Sequence, residues 1–249
     1  MLSFFKKKEK NTEPPITSID YSAVKVDMHS HVLPGIDDGA QTPADSIALI
    51  KKMMELGITK VIATPHIMAD YYRNTPETIN AALEILKSEL VKEGVVIDIS
   101  AAAEHYFDET FEDLVNRGKL MTMGDKYVLF EIPFLGSPPN LIQMIKRMRD
   151  LGYKPILAHP ERYTYLKLDD FRSIKNFGCK LQINTISLTG YYGKHVKKAA
   201  EEIADNNLVD FISSDMHHLR HADAIQRALS FPYVQKLIES KTLQNPIFV

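Results

Sequence analysis

Two histidines one residue apart, His29 and His31, close the apolar run Val26-Asp27-Met28. Residues i and i+2 of a strand share a face, so both imidazoles project from one strand end, where they suit a metal ion. An H-x-H pair standing alone is as readily an exposed surface pair. The rest of the chain decides between the two. Residues able to bind a cation recur where nearly every apolar strand pattern stops: His66 after Thr64-Pro65, Glu104 and His105 after Ala103, Glu131 after Phe130, His159 with Glu161 and Arg162 after Ala158, and Asp215 and His217 after Ser214. Carboxylates gathered in one cleft are costly unless a cation compensates them. Imidazole and carboxylate without thiolate suit Mn2+, Fe or Zn2+ better than a structural cysteine site. The donors exceed one coordination sphere, so more than one ion is expected, with Glu104 as a candidate bridge between metals roughly 3.5 to 4 Å apart.

Strand and helix patterns alternate behind these residues. Period-two and short apolar runs predict strands over 25–28, 60–64, 95–101, 127–132, 155–158, 180–183 and 208–213. Helical periodicity predicts helices over 44–56, 76–92, 141–151 and 194–206, among others. Pro43 and Pro76 stand at first-turn positions, and Gly57, Gly94 and Gly152 follow helical runs as C-terminal caps do. Seven strand-helix units result. Strands separated by helices are mostly parallel and joined by right-handed crossovers, giving an open doubly wound sheet or a closed barrel. In a parallel barrel all strand C-terminal ends lie on one face, where the candidate ligands would converge.

With 249 residues and 45% hydrophobic composition, the chain can bury a sizeable core, and a single domain over 23–249 is the simplest division. A formal net charge of -2 supplies no basic field to gather nucleic acid. Cys179 is the only cysteine, so no internal disulfide forms, and no apolar run reaches membrane-spanning length; a cytoplasmic location is expected. Residues 1–22, with Lys6-Lys7-Lys8 and Pro14-Pro15, read as a flexible N-terminal tail. Phe4 and Phe5 beside those lysines would make only a weak membrane-surface anchor.

Taken together, Asp27-Met28-His29-Ser30-His31, Leu33-Pro34-Gly35-Ile36-Asp37-Asp38-Gly39, Thr64-Pro65-His66, Ala158-His159-Pro160-Glu161-Arg162 and Ser214-Asp215-Met216-His217 resemble the polymerase and histidinol phosphatase (PHP) superfamily. Within it they are similar to the bacterial manganese-dependent protein-tyrosine phosphatases of capsule and exopolysaccharide loci, the CpsB/YwqE type. The likeness covers about 24–229. It implies an α/β fold, a distorted (β/α)7 barrel of TIM-barrel type, with three metal ions, Mn2+ first and Fe or Zn2+ as alternatives. Position by position it implies His29, His31 and Asp215 with Glu104 for one ion, Glu104, Glu131 and His159 for a second, and Asp38, His66 and His217 for a third. Arg162 matches the family's phosphate-binding arginine, and with Glu104 and Asp215 it would act on the reacting group.

The activity implied is hydrolysis of phosphotyrosine by a metal-activated hydroxide. The partner implied is a phosphotyrosine protein, a membrane-associated bacterial tyrosine kinase controlling polysaccharide export, which allows a membrane-peripheral position and a homo-oligomer. Aromatic residues near the ligands, Tyr71, Tyr72, Tyr106, Phe107, Phe134, Tyr163 and Tyr165, could wall a pocket for a phenyl ring. Competing readings are a histidinol-phosphate or other small phosphomonoester phosphatase, a metal-dependent nuclease, an amidohydrolase and a non-catalytic PHP scaffold. A thiol phosphatase resembles Cys-x5-Arg families, and the sixth residue after Cys179 is Thr185, which removes that reading.

Overall fold

The computed structural model describes residues 21–249. Its parallel strands are β1 (Val26–Asp27), β2 (Lys60–Ala63), β3 (His66–Ile67), β4 (Asp98–Ala101), β5 (Glu104–Tyr106), β6 (Tyr127–Glu131), β7 (Lys154–Ala158), β8 (Lys180–Asn184) and β9 (Phe211–Ser213). Around them pack α1 (Pro43–Glu55), α2 (Pro76–Lys92), α3 (Glu109–Arg117), α4 (Leu141–Asp150), α5 (Leu168–Asn176), α6 (Lys194–Asp205), α7 (Leu219–Ala228) and α8 (Pro232–Glu239). The strands form two parallel sheets, ordered β1-β2-β4 and β3-β5-β6-β7-β8-β9. β2 runs on into β3 past Thr64-Pro65 and β4 into β5 past Ala102-Ala103, with Ala102 N donating to Ala63 O at 2.8 Å and Glu104 N to Pro65 O at 3.1 Å. The circle closes where Ser30 bridges Met216 in parallel and His31 N donates to Met216 O at 2.8 Å. The result is a distorted (β/α)7 barrel.

Local chemistry explains the helix starts. Thr42 caps α1 with Asp45 in a reciprocal capping box, and Pro43 fills the first turn, where its missing N–H costs nothing. Thr75 and Thr78 do the same for α2. Gly57 then lets the chain turn after α1: its φ is +96°, and a Cβ there would lie 2.9 Å from Ser22 N.

Alternate strand residues, among them Val26, Met28, Ile62, Leu129, Ile156 and Phe211, fill the barrel interior. The C-terminal turn Asn245–Phe248 stoppers the end of the barrel formed by the strand N-termini. Phe248 stacks on Phe211 at 5.6 Å and meets Tyr127 edge-on at 5.2 Å. Asn245 Nδ2 donates to Ile212 O at 2.8 Å and Val26 O at 3.1 Å, while its Oδ1 accepts from Ile212 N at 3.2 Å. A larger apolar layer lies between barrel and helices.

Several boundaries differ from the sequence expectation. The run expected as a strand from 95 begins at Asp98, because Val95 N still bonds Leu90 O at the end of α2. The strand expected from 208 begins at Phe211. β3 and β5 are too short for a periodicity of their own, and the sequence pattern predicts no strand over either. Of the expected tail, residues 1–20 lie outside the described residues. Tyr21 belongs to the body: it is 1% exposed, and its hydroxyl bonds Thr185 Oγ1. The weak anchor expected at Phe4 and Phe5 also lies outside the described residues.

Candidate metal centre

β1 ends at Asp27, before the paired histidines, so the shared face inferred for a regular strand is not what aligns them. The chain stays extended because Asp215 N donates to His29 O at 2.9 Å and Ser30 bridges Met216. His29 and His31 thereby bring their Nε2 atoms to 3.3 Å from one another. Both Nε2 atoms face Glu104 Oε2, at 3.2 and 3.4 Å, and Asp215 Oδ1, at 3.4 and 3.5 Å. His159 Nε2 lies 3.0 Å from Glu104 Oε1 and 3.8 Å from Glu131 Oε2. His66 turns Nδ1 to Glu104 Oε2 and Glu131 Oε1, each at 3.2 Å, and Nε2 to Asp38 Oδ1 at 3.5 Å. His217 Nε2 approaches the same Asp38 oxygen at 3.5 Å.

These side chains form four overlapping groups in which the ligand atoms lie within 4.8 Å of one another: His31, Asp38, His66 and His217; His29, His31 and Glu104; His29, His159 and Asp215; His66, Glu104 and Glu131. Every metal-ligand candidate of the sequence, nine residues from seven segments, is therefore in one cluster centred on Glu104. The grouping differs from the expected three sets in two places. His159 also faces Asp215, and His66 stands between Asp38 and the two glutamates.

Neighbouring groups fix which nitrogen each ring presents. Asp37 Oδ2 accepts from His31 Nδ1 at 2.8 Å, Gln182 Oε1 from His29 Nδ1 at 2.8 Å, and the Asp215 carbonyl from His217 Nδ1 at 2.9 Å. With Nδ1 engaged, each Nε2 faces the carboxylate cluster and is the ring atom placed to bind a cation in exchange for a proton. Gln182 Nε2 donates in turn to Asn184 Oδ1 at 3.0 Å, and Asn184 Nδ2 to Asp215 Oδ2 at 2.7 Å, so one amide chain orients both His29 and Asp215. Asp27 ties down the end of β9 by accepting from Ser214 N at 3.0 Å and from the hydroxyls of Ser213 and Ser214.

Two buried atoms at the centre, Glu104 Oε2 and His66 Nδ1, make no hydrogen bond of regular geometry among the described residues. Unpartnered buried acceptors and lone pairs carry a full desolvation cost, which a divalent cation removes. Burial disfavours the imidazolium of His29, yet Glu104 and Asp215 outweigh it and raise its pKa to about 9. A proton is held there by the same field that would hold a metal ion. The donor set fits hard or borderline divalent cations.

A model of the family described as capsular polysaccharide synthesis, CpsB/CapC, matches residues 25–248. The chain belongs to the CpsB/CapC family. It is 33% identical to the tyrosine-protein phosphatase YwqE of Bacillus subtilis over 198 residues, 78% of each chain. It is 28% identical to the tyrosine-protein phosphatase CpsB of Streptococcus agalactiae serotype V, covering 78% of this chain and 83% of that one. Among solved structures, one reported for YwqE of B. subtilis and CpsB of Streptococcus pneumoniae, described as metal-dependent tyrosine phosphatases, superposes with a TM-score of 0.77 at 29% identity over 89% of both chains.

In this CpsB/CapC chain the metal-ligand cluster opens into a cavity of about 490 Å3. Arg162 reaches it from the turn Pro160–Arg162, with Nη1 donating to Asp215 Oδ2 at 3.2 Å. Its guanidinium lies over the rings of Phe134, 4.9 Å from the ring centre, and Tyr192, 4.8 Å away. Tyr72, Tyr106 and Phe134 line the cavity as expected for an aromatic wall, and Tyr192, which sequence reading missed, joins them. The wall is smaller than expected, because Tyr71 is exposed outside the cavity lining and Phe107, Tyr163 and Tyr165 are structural. Phe107 is core, Tyr163 Oη accepts from Ile132 N at 3.0 Å, and Tyr165 Oη donates to Pro133 O at 2.6 Å. Glu161, beside Arg162, is also structural: it accepts from Asn184 N at 2.9 Å and Ser187 Oγ at 2.7 Å. Cys179 is buried in the core, where burial pushes its thiol pKa up, away from reactivity. The sequence did signal Asp37, inside the motif with Asp38, but nothing marked Gln182, Asn184 or Tyr192 at strand and loop positions far from the motifs.

Proposed function

We propose that this CpsB/CapC chain is a metal-dependent protein-tyrosine phosphatase serving capsule or exopolysaccharide synthesis, with His29, His31, Asp38, His66, Glu104, Glu131, His159, Asp215 and His217 holding three Mn2+ ions. The observation that carries this reading is the cluster of imidazoles and carboxylates around Glu104, set beside Arg162 at the floor of an aromatic-walled cavity. Bound divalent ions supply an activated water near neutral pH and neutralise charge on the phosphoryl group. Arg162 keeps one N–H on Asp215 and presents its remaining donors to the non-bridging phosphate oxygens, positioned by its cation-π contacts with Phe134 and Tyr192. Tyr72, Tyr106 and Phe134 offer faces and edges to a phenyl ring, each good contact worth about 0.5 to 1.5 kcal/mol. A phenolate with a pKa near 10 leaves with little help from an acid. The partner is a membrane-associated tyrosine kinase, consistent with the tyrosine-phosphatase relatives.

The test is turnover, under one Mn2+ condition, of a phosphotyrosine peptide, the same peptide carrying phosphoserine, histidinol phosphate and single-stranded DNA. Chelation should abolish phosphotyrosine turnover, Mn2+ should restore it, and Cys179→Ser should leave it unchanged. Turnover of histidinol phosphate or DNA at least tenfold better than the phosphotyrosine peptide would overturn the assignment.

A further inference from the structure

Beside the metal-site cavity runs a second concavity of about 410 Å3, between the start of α1 and the loop entering α7. Ala40, Ala48 and Leu49 make an apolar floor, and Arg220 stands on the rim. His217 and His218 wall both cavities, so the groove leaves the metal centre on the Asp38 side. A polypeptide with its phosphate at the metal centre has to cross the cavity rim, and this groove lies directly across the shared wall of His217 and His218.

Arg220 is the permanent cation of the groove lining, which also holds the carboxylate of Asp45. Arg220 is exposed and has no hydrogen-bond or ion-pair partner among the described residues. His218, Leu219 and Arg220 open α7, whose N-terminus has no side-chain cap and no acidic residue in its first turn. Its unsatisfied amides add partial positive charge to that of the guanidinium. The carboxylate opposite, Asp45, is engaged by Thr42, accepting from its N at 3.0 Å and its Oγ1 at 2.7 Å.

We propose that this groove receives the residues flanking phosphotyrosine in an extended polypeptide substrate, with an acidic side chain of that segment seated at Arg220 and the start of α7. The proposal rests on the tyrosine-phosphatase reading. Apolar floor and cationic rim together select a small or aliphatic residue next to the acidic one, and a small aryl phosphate never reaches them.

The test compares the full chain and its Arg220→Glu variant in Mn2+ on three substrates: p-nitrophenyl phosphate, a phosphotyrosine peptide with flanking Glu, and the same peptide with Lys in place of Glu. The variant should raise KM for the Glu peptide about tenfold at unchanged kcat, lower KM for the Lys peptide and leave p-nitrophenyl phosphate turnover as it was. Arg220→Ala should lie between the two proteins on both peptides. An equal effect on all three substrates, or none on any, overturns the groove. So does a change of oligomeric state in light scattering with KM unmoved, which would make this face a contact between copies. If the unaltered protein hydrolyses p-nitrophenyl phosphate but neither peptide, the tyrosine-phosphatase reading itself fails, a result distinct from peptides that are hydrolysed but insensitive to Arg220.

Discussion

The imidazole of His31 can offer its Nε2 lone pair to a cation only while Nδ1 keeps its proton, and Asp37 Oδ2, 2.8 Å away, holds that proton in place. Burial works against ionisation of Asp37, but the neighbouring His31 outweighs it and keeps the carboxyl below its usual range. The same carboxylate also accepts from Gly39 N at 3.0 Å and His66 N at 3.2 Å, so one side chain orients two candidate ligands and the loop between them. Asp37→Ala should therefore weaken metal binding about 10- to 100-fold, the range found when such partners of metal-bound histidines are lost. Calorimetric titration of the metal-free variant against a competing chelator checks this, and an unchanged affinity would show that His31 needs no such partner.

At the scale of elements, the centre is built by strand ends that stop being regular. His159 and Asp215, which follow β7 and β9, have φ of 33° and 50°, a region unfavourable for residues other than glycine. Those turns aim the side chains across the barrel mouth, where a continued strand would have sent them along its own face. The loop from Leu33 to Gly39 folds back over His31 in the same way, and Gly39 is its tightest point: a Cβ there would lie 2.0 Å from His31 O. No side chain fits without moving His31. Gly39→Ala should cost about 1 to 3 kcal/mol of stability as an overpacked site does, and lower metal-dependent turnover at least tenfold. Gly136→Ala, whose added Cβ has no neighbour within 4 Å, is the control that should change neither property in thermal melts and assays.

For the whole molecule, the barrel separates chemistry from support. The candidate ligand cluster occupies the strand C-terminal end, while Phe248 and Asn245 seal the opposite end against Phe211, Tyr127 and the backbone of β1 and β9. Phe248 is 5% exposed, so Phe248→Ala should leave a cavity and destabilise the fold by about 3 to 5 kcal/mol in denaturant titrations. Turnover per folded molecule should remain near that of the unaltered protein, because no ligand touches the stopper. A large fall in kcat at full folding would mean that the two ends are coupled.

The sequence by itself determined the kind of molecule and its chemistry. Alternating strand and helix patterns with Pro at helix starts and Gly after helix ends specify a parallel α/β fold, either an open sheet or a barrel, and cation-binding residue types at six of seven strand ends point to a metal centre; the shared motifs favour the barrel. Those signals are local, since each is carried by residue type and spacing within a few positions. Tertiary structure alone decided how the donors are shared. Glu104, His159 and His66 come from three segments, and their partners depend on distances of 3.0 to 3.8 Å that no spacing in the chain encodes. It also decided that Tyr163 and Tyr165 bond backbone groups while Tyr192 meets Arg162, because an aromatic residue looks the same in sequence whether its ring is packed or presented. The supporting residues Gln182 and Asn184 were illegible for the same reason: an amide on a strand acquires its role from what lies across the barrel, and closure of the barrel is what puts His29 and Asp215 there.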